Sequence, residues 1–124
     1  MTEIKPVLTC RDAPAAVEYY QRAFGAEELE RHENPTGIVS ELALDGARFL
    51  VVDEVPEAFN VSPATLGGTS VRISLLVDDP DAFAARAIAE GASVVFPIAD
   101  QPYGLRQGRI QDPFGHHWLI GRPL

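Results

Sequence analysis

The chain has 124 residues, 46% of them hydrophobic and 23% charged, which suits one soluble domain with its own core. Its 18 acidic against 10 basic residues leave a net charge of −8, which excludes the basic surface that nucleic-acid binding demands; the acidity serves solubility or suits a cationic small molecule. No stretch approaches the roughly 20 consecutive apolar residues that span a bilayer. Residues 1–5 show no signal-peptide pattern, and the single cysteine, Cys10, has no internal disulfide partner, so a reducing, cytoplasmic setting is expected.

Residues 4–10 form a short apolar-rich run that reads as a strand. It ends at Arg11-Asp12-Ala13-Pro14, a helix entry with an acidic N-cap and a proline in the first turn. Val17, Tyr20, Gln21 and Phe24 follow near helical spacing, and Gly25 is the stop. Three strand-like segments come next, roughly 26–33, 37–44 and 47–53, separated by Asn34-Pro35-Thr36 and by Asp45-Gly46, a strong hairpin signal. Residues 54–70 contain Pro56, Pro63, Gly67 and Gly68 without periodicity and read as a linker. Then the pattern repeats. Residues 71–77 are strand-like, Asp78-Asp79-Pro80 caps a helix with an apolar stripe of Phe83, Ala87 and Ile88, and Gly91 is its stop. Segments 93–98, 107–111 and 116–121 follow, the last two joined by the turn Asp112-Pro113-Phe114-Gly115.

The two copies lie about 66 residues apart, with Asp45 and Asp112 at the same step of each. The expected fold class is therefore α+β, a single domain over residues 1–124 built from two βαβββ modules. Module 1 covers about 1–53 and module 2 about 71–124, and neither half is large enough to be stable alone.

Three stretches are more specific. They are Arg11-Asp12-Ala13-Pro14-Ala15-Ala16-Val17-Glu18-Tyr19-Tyr20-Gln21-Arg22-Ala23-Phe24-Gly25-Ala26-Glu27, then Leu66-Gly67-Gly68-Thr69, then Tyr103-Gly104-Leu105-Arg106-Gln107-Gly108 leading into Asp112-Pro113-Phe114-Gly115-His116-His117-Trp118. Over essentially its whole length the chain resembles the vicinal oxygen chelate (glyoxalase/bleomycin resistance protein/dioxygenase) superfamily, in its PhnB-like branch. The resemblance implies strands curled into a half-open β cup with helices outside, and often a homodimer whose cups are completed across a two-fold axis. In metal-dependent members it also implies a divalent ion held by His or Glu from four strands, with positions left open for substrate oxygens.

Counted from the helix-entry and turn residues, the family's four ligand positions fall on Lys5, Leu50, Arg72 and Leu119. Two cations and two aliphatic side chains do not bind a divalent cation, because a lysine must first lose its proton and an arginine effectively never does. No metal and no other cofactor is therefore expected. Asp53 and Glu54 close the fourth strand, three and four residues beyond Leu50, and His117 shares a strand face with Leu119, but no first-strand residue completes a ligand set.

The remaining candidates divide by strand alternation. His117 faces the cup with Leu119, whereas His116 goes with Trp118 and Ile120 toward the helix layer. Lys5 and Arg72, at cup positions, either form a positive patch for a ligand carboxylate or pair with acids such as Glu41 or Asp53. Phe59 and Tyr103, outside the strands, are the aromatic pocket candidates, while Trp118 and Cys10 read as core and His32 as solvated. There is no phosphate-cradling glycine loop and no Gly-x-Ser-x-Gly nucleophile motif. The expected function is metal-free binding of a small molecule, in the manner of drug-sequestering bleomycin-resistance proteins. The rivals are a glyoxalase-type lyase or isomerase, or a dioxygenase, with a relocated metal or with His117 as acid/base group. A third reading is a structural or regulatory partner with no ligand.

Overall fold

The computed structural model describes all residues, Met1–Leu124. It contains two compact units, Met1–Gly68 and Thr69–Leu124, and no helix long and apolar enough to cross a membrane. Each unit is a βαβββ module, so the fold is α+β as the repeat predicts.

In the first unit β1 (Val7–Cys10), α1 (Ala13–Phe24), β2 (Glu27–Asn34), β3 (Gly37–Leu44) and β4 (Ala47–Asp53) follow in order. The sheet runs β1-β4-β3-β2, with β1 parallel to β4 and the other neighbours antiparallel, and it does not close on itself. α1 begins where expected: the Asp12 carboxylate accepts from Ala15 N–H at 3.1 Å, and Gly25 ends the helix at φ 71, a left-handed conformation glycine takes without strain. Its buried face holds Ala13, Ala16, Val17, Tyr19, Tyr20, Ala23 and Phe24, while Gln21 points to solvent. It packs on Leu8, Cys10, Leu42, Phe49 and Val51, and the Tyr20 and Phe49 rings meet edge to face at 5.5 Å. Burial of each large apolar side chain here contributes about 1.5–3 kcal/mol. The Asp53 carboxylate fastens helix to sheet, accepting from Ala13 N–H at 2.9 Å and Ile38 N–H at 2.7 Å. Gly37 leaves room for that carboxylate, which a Cβ would overlap.

The second unit repeats the plan with β5 (Arg72–Leu76), α3 (Pro80–Ala89), β6 (Ser93–Asp100), β7 (Leu105–Gln111) and β8 (His117–Pro123), in the order β5-β8-β7-β6. Asp79 caps α3 by accepting from Ala82 N–H at 3.1 Å. Pro80, Ala84 and Ala87 are buried, against a sheet face carrying Ile110, Trp118 and Ile120. The turn before β8 is organised by Asp112, only 3% exposed, whose carboxylate accepts from Phe114 N–H, His116 N–H and, at 2.9 Å, Trp118 Nε1–H. Arg106 binds Asp81 and Asp100 and so ties α3 to the outer strand.

Several boundaries differ from the sequence reading, among them β6, which runs on to Asp100, and β7, which begins at Leu105. The first strand starts at Val7, not Ile4, since Pro6 has no N–H to pair and Ile4 is 87% exposed. α3 ends on Glu90 in the right-handed region, one residue before Gly91, and buries Ala84 where Ile88 was expected. His116 belongs to the Asp112 turn and not to the last strand. The linker is folded and belongs to the first unit: a 3-10 turn at Pro56–Ala58 precedes α2 (Pro63–Leu66). Ser62 caps α2, and Glu54 accepts from Ser62 N–H at 3.0 Å and Thr65 Oγ1–H at 3.1 Å. Elements of three or four residues are too short to show a hydrophobic period, so only the prolines and the Ser62 cap mark them.

Candidate functional site

In each unit the helix takes one face of the sheet, and strand alternation sends every second residue to the other. On the first sheet that other face carries Val7 beside Leu50, with Glu41 on the far side of Leu50. Lys5, just ahead of β1, places Nζ 3.0 Å from Glu41 and 3.0 Å from Glu3, and Arg48 reaches the second Glu41 oxygen at 3.1 Å. The hydrogen bond to Glu41, then that to Glu3, raises the Lys5 ammonium above its ordinary pKa. The reciprocal bond from Lys5, aided by Arg48 against a burial penalty, lowers the Glu41 carboxyl. Of the two acids suggested for Lys5, Glu41 takes it, because Asp53 is engaged with Ala13 and Ile38. Further along the same face a shallow cavity of about 260 Å³ has Val7, Val39 and Val52 among its lining, with the amides of Asn34 and Asn60. Phe59 lies outside it, 92% exposed at the end of the 3-10 turn with φ 64.

The corresponding face of the second sheet is built from the same register but different chemistry. Arg72 lies beside His117, Ser74 beside Leu119, and Arg109 on the far side of Leu119. Arg109 Nε–H donates to His117 Nδ1 at 2.9 Å. Burial, followed by the Arg109 charge, lowers the His117 pKa, so near neutral pH the ring is uncharged. With Nδ1 accepting, the ring proton sits on Nε2. Phe96, 60% exposed, pairs across from Arg109, and Tyr103 donates its hydroxyl to Gln107 Oε1 at 2.8 Å one step further on.

The sequence candidates thus fall into two groups. Arg72, His117 and Leu119 come together on the second sheet, with Tyr103 at its end through Gln107. Lys5 and Leu50 share the first sheet, and Phe59 stands apart from both. Arg109 was missed. A count outward from the Asp112–Gly115 turn would place Gly108 opposite Leu119; the observed pairing of Gln111 with His117 places Arg109 there instead.

The side chains at the four family ligand positions do not fit a divalent cation: an ammonium held by two carboxylates, a guanidinium and two leucines offer no lone pair. No three His, Cys, Asp or Glu side chains gather as a metal-holding group. The two acids that close the fourth strand are occupied, Asp53 by backbone N–H groups and Glu54 by α2.

The description Glyoxalase/Bleomycin resistance protein/Dioxygenase superfamily matches residues 4–120. The chain belongs to this superfamily. Within it, the chain is 41% identical over 126 residues to Mb0911c of Mycobacterium bovis, across 98% of this chain and 83% of that protein. Among solved structures, TioX from Micromonospora sp. ML1 superposes with a TM-score of 0.78 at 32% identity, covering 100% of both chains. TnmS3, an antibiotic binding protein from Streptomyces sp. CB03234, shares the superfamily fold with a TM-score of 0.71 at 23% identity, across 99% of this chain and 98% of that one.

Proposed function

We propose that this superfamily member binds a small organic molecule without a metal, on a sheet face turned away from its helix, and retains it unchanged. The observation that carries this reading is the chemistry at the four family ligand positions. Lys5 is held by two carboxylates, Leu50 and Leu119 are apolar and Arg72 is a cation, so none offers a lone pair to a divalent ion, while Arg72 and the leucines suit an organic ligand. TnmS3 is a precedent for a chain of this fold that binds an antibiotic.

The histidine-based enzyme is the weaker reading for a stated reason. A general base needs a free lone pair, and His117 has its Nδ1 lone pair engaged by Arg109 and its proton on Nε2. Its lowered pKa also leaves little imidazolium to act as an acid at neutral pH.

Thermal unfolding in the presence of Zn²⁺, Ni²⁺, Mn²⁺ or Fe²⁺ tests the metal-free reading. Tm is expected to stay unchanged, whereas a rise of several degrees at micromolar metal, abolished by His117→Ala, would overturn it. Screening antibiotics and small aromatic acids by the same assay is expected to yield stabilising compounds. A ligand at a hundred times its Kd adds about 2.7 kcal/mol.

A further inference from the structure

The two units place opposite chemistry at matching positions. Register aligns Lys5 with Arg72, Arg48 with His117, Leu50 with Leu119, and Glu41 with Arg109. In the first unit the acid at the centre of this set pairs with both cations, and Glu3 on Lys5 supplies the second negative charge. In the second an arginine stands in its place. Arg109 contacts His117 and no carboxylate, and Arg72 has no ion-pair partner.

Donor inventory sharpens the point. Arg72 offers only N–H groups, Arg109 keeps those of its guanidinium not bound to His117, and the remaining polar atom of His117, Nε2, is an N–H. The cluster of these three side chains therefore presents donors and positive charge, with only the uncharged Ser74 and Gln111 as acceptors beside it. Its complement is a group made only of acceptors with negative charge, as a carboxylate is. Around it Leu119, Leu76 at 58% exposure and Phe96 at 60% supply apolar surface.

Resting on the small-molecule reading above, we propose that the ligand is an aromatic or otherwise apolar oxyacid, its anionic group held by Arg72 and Arg109 and the His117 Nε2–H, its apolar body against Leu119 and Phe96. The acidic net charge of the chain does not extend to this face. The ligand is thus an anion, against what a net charge of −8 would suggest.

The test compares 2-naphthoate with its neutral analogue 2-naphthamide by titration calorimetry on the full chain at low ionic strength. One or two charge-assisted hydrogen bonds correspond to about a tenfold or greater preference for naphthoate. That preference should shrink with added salt. It should vanish in Arg109→Gln and in Arg72→Gln; the second site is solvent-exposed, so its variant keeps the test valid if the first folds poorly. Arg86→Gln, which removes the same charge from exposed helix α3, should leave it intact. Equal binding of naphthamide, indifferent to Arg109→Gln, would overturn the anionic ligand while leaving small-molecule binding standing. Loss of the preference in Arg86→Gln as well would reduce it to overall charge and overturn the site. Displacement of naphthoate by an equal concentration of inorganic phosphate would overturn the apolar half of the proposal. Binding of neither naphthalene would overturn both this proposal and the reading beneath it.

Discussion

The two modules share a backbone plan so closely that strand register pairs them residue for residue, yet they divide their chemistry differently. On the helix side they agree: Phe49 and Trp118 take the same place, as do Val51 and Ile120, all 4% exposed or less. On the other side they diverge, with Lys5 and Arg48 balanced by Glu41 and Glu3 and with Arg72–Arg109–His117 left positive. Packing is satisfied by shape and area, so related solutions recur in both halves. Charge on a face without a core to fill is set by what that face must meet.

The turns give the largest way to break this likeness. Asp45 is exposed at a left-handed position, φ 47, whereas Asp112 is buried with three donors converging on its carboxylate. Asp112→Asn faces one donor with an amide N–H₂ and should destabilise by about 3 kcal/mol in chemical denaturation, while Asp45→Asn should change little. Next come the strand positions occupied by Ser40 and Gly108. A register shift in β6 lays its backbone over Gly108, so that a Cβ there would sit 2.7 Å from Ile98 N. Gly108→Ala should cost about 2 kcal/mol, and Ser40→Ala about 1 kcal/mol, through loss of the 2.6 Å bond to Glu28.

A charge exchange sharpens the comparison at the faces themselves. Arg109→Glu would copy the first unit's arrangement onto the second, giving Arg72 a carboxylate nearby. Tm should rise slightly and the preference for naphthoate over naphthamide should disappear; a retained preference would show that Arg109 does not set it. The smallest effect is in pH. Glu41 has a lowered pKa, so its contribution is present above the ordinary glutamate range and is lost as pH falls through the lower folded value. His117 is also lowered, so stability is full above about 6.5 and declines below it, as the unfolded chain takes up a proton that the folded ring resists. In stability measured from pH 8 to 4, His117→Gln should flatten the earlier part of the decline and Glu41→Gln the later part.

How much of this was legible in sequence follows the range of the forces involved. Asp12 and Asp79 as caps, Gly25 as a stop and Asp45-Gly46 as a hairpin act over a few residues, and each was readable where it stands. The alternation separating His117 from Trp118 was readable because a strand has only two sides. Three features were not. The folding of residues 54–70 depends on Glu54 reaching Ser62 and Thr65, and Asp112 owes its importance to a bond with the Trp118 ring. Arg109 becomes notable only beside its equivalent, Glu41, in the other sheet. Its identity alone is that of any strand arginine.

In β8, His117 and Leu119 answer to one side of the sheet while Trp118 and Ile120 answer to the other. The strand carries two interleaved texts, one read by the core and one by whatever approaches the opposite face. Substitutions can accumulate in the second without disturbing the first. A lineage built on this module can therefore change what it recognises one alternate residue at a time, its stability held by the letters in between.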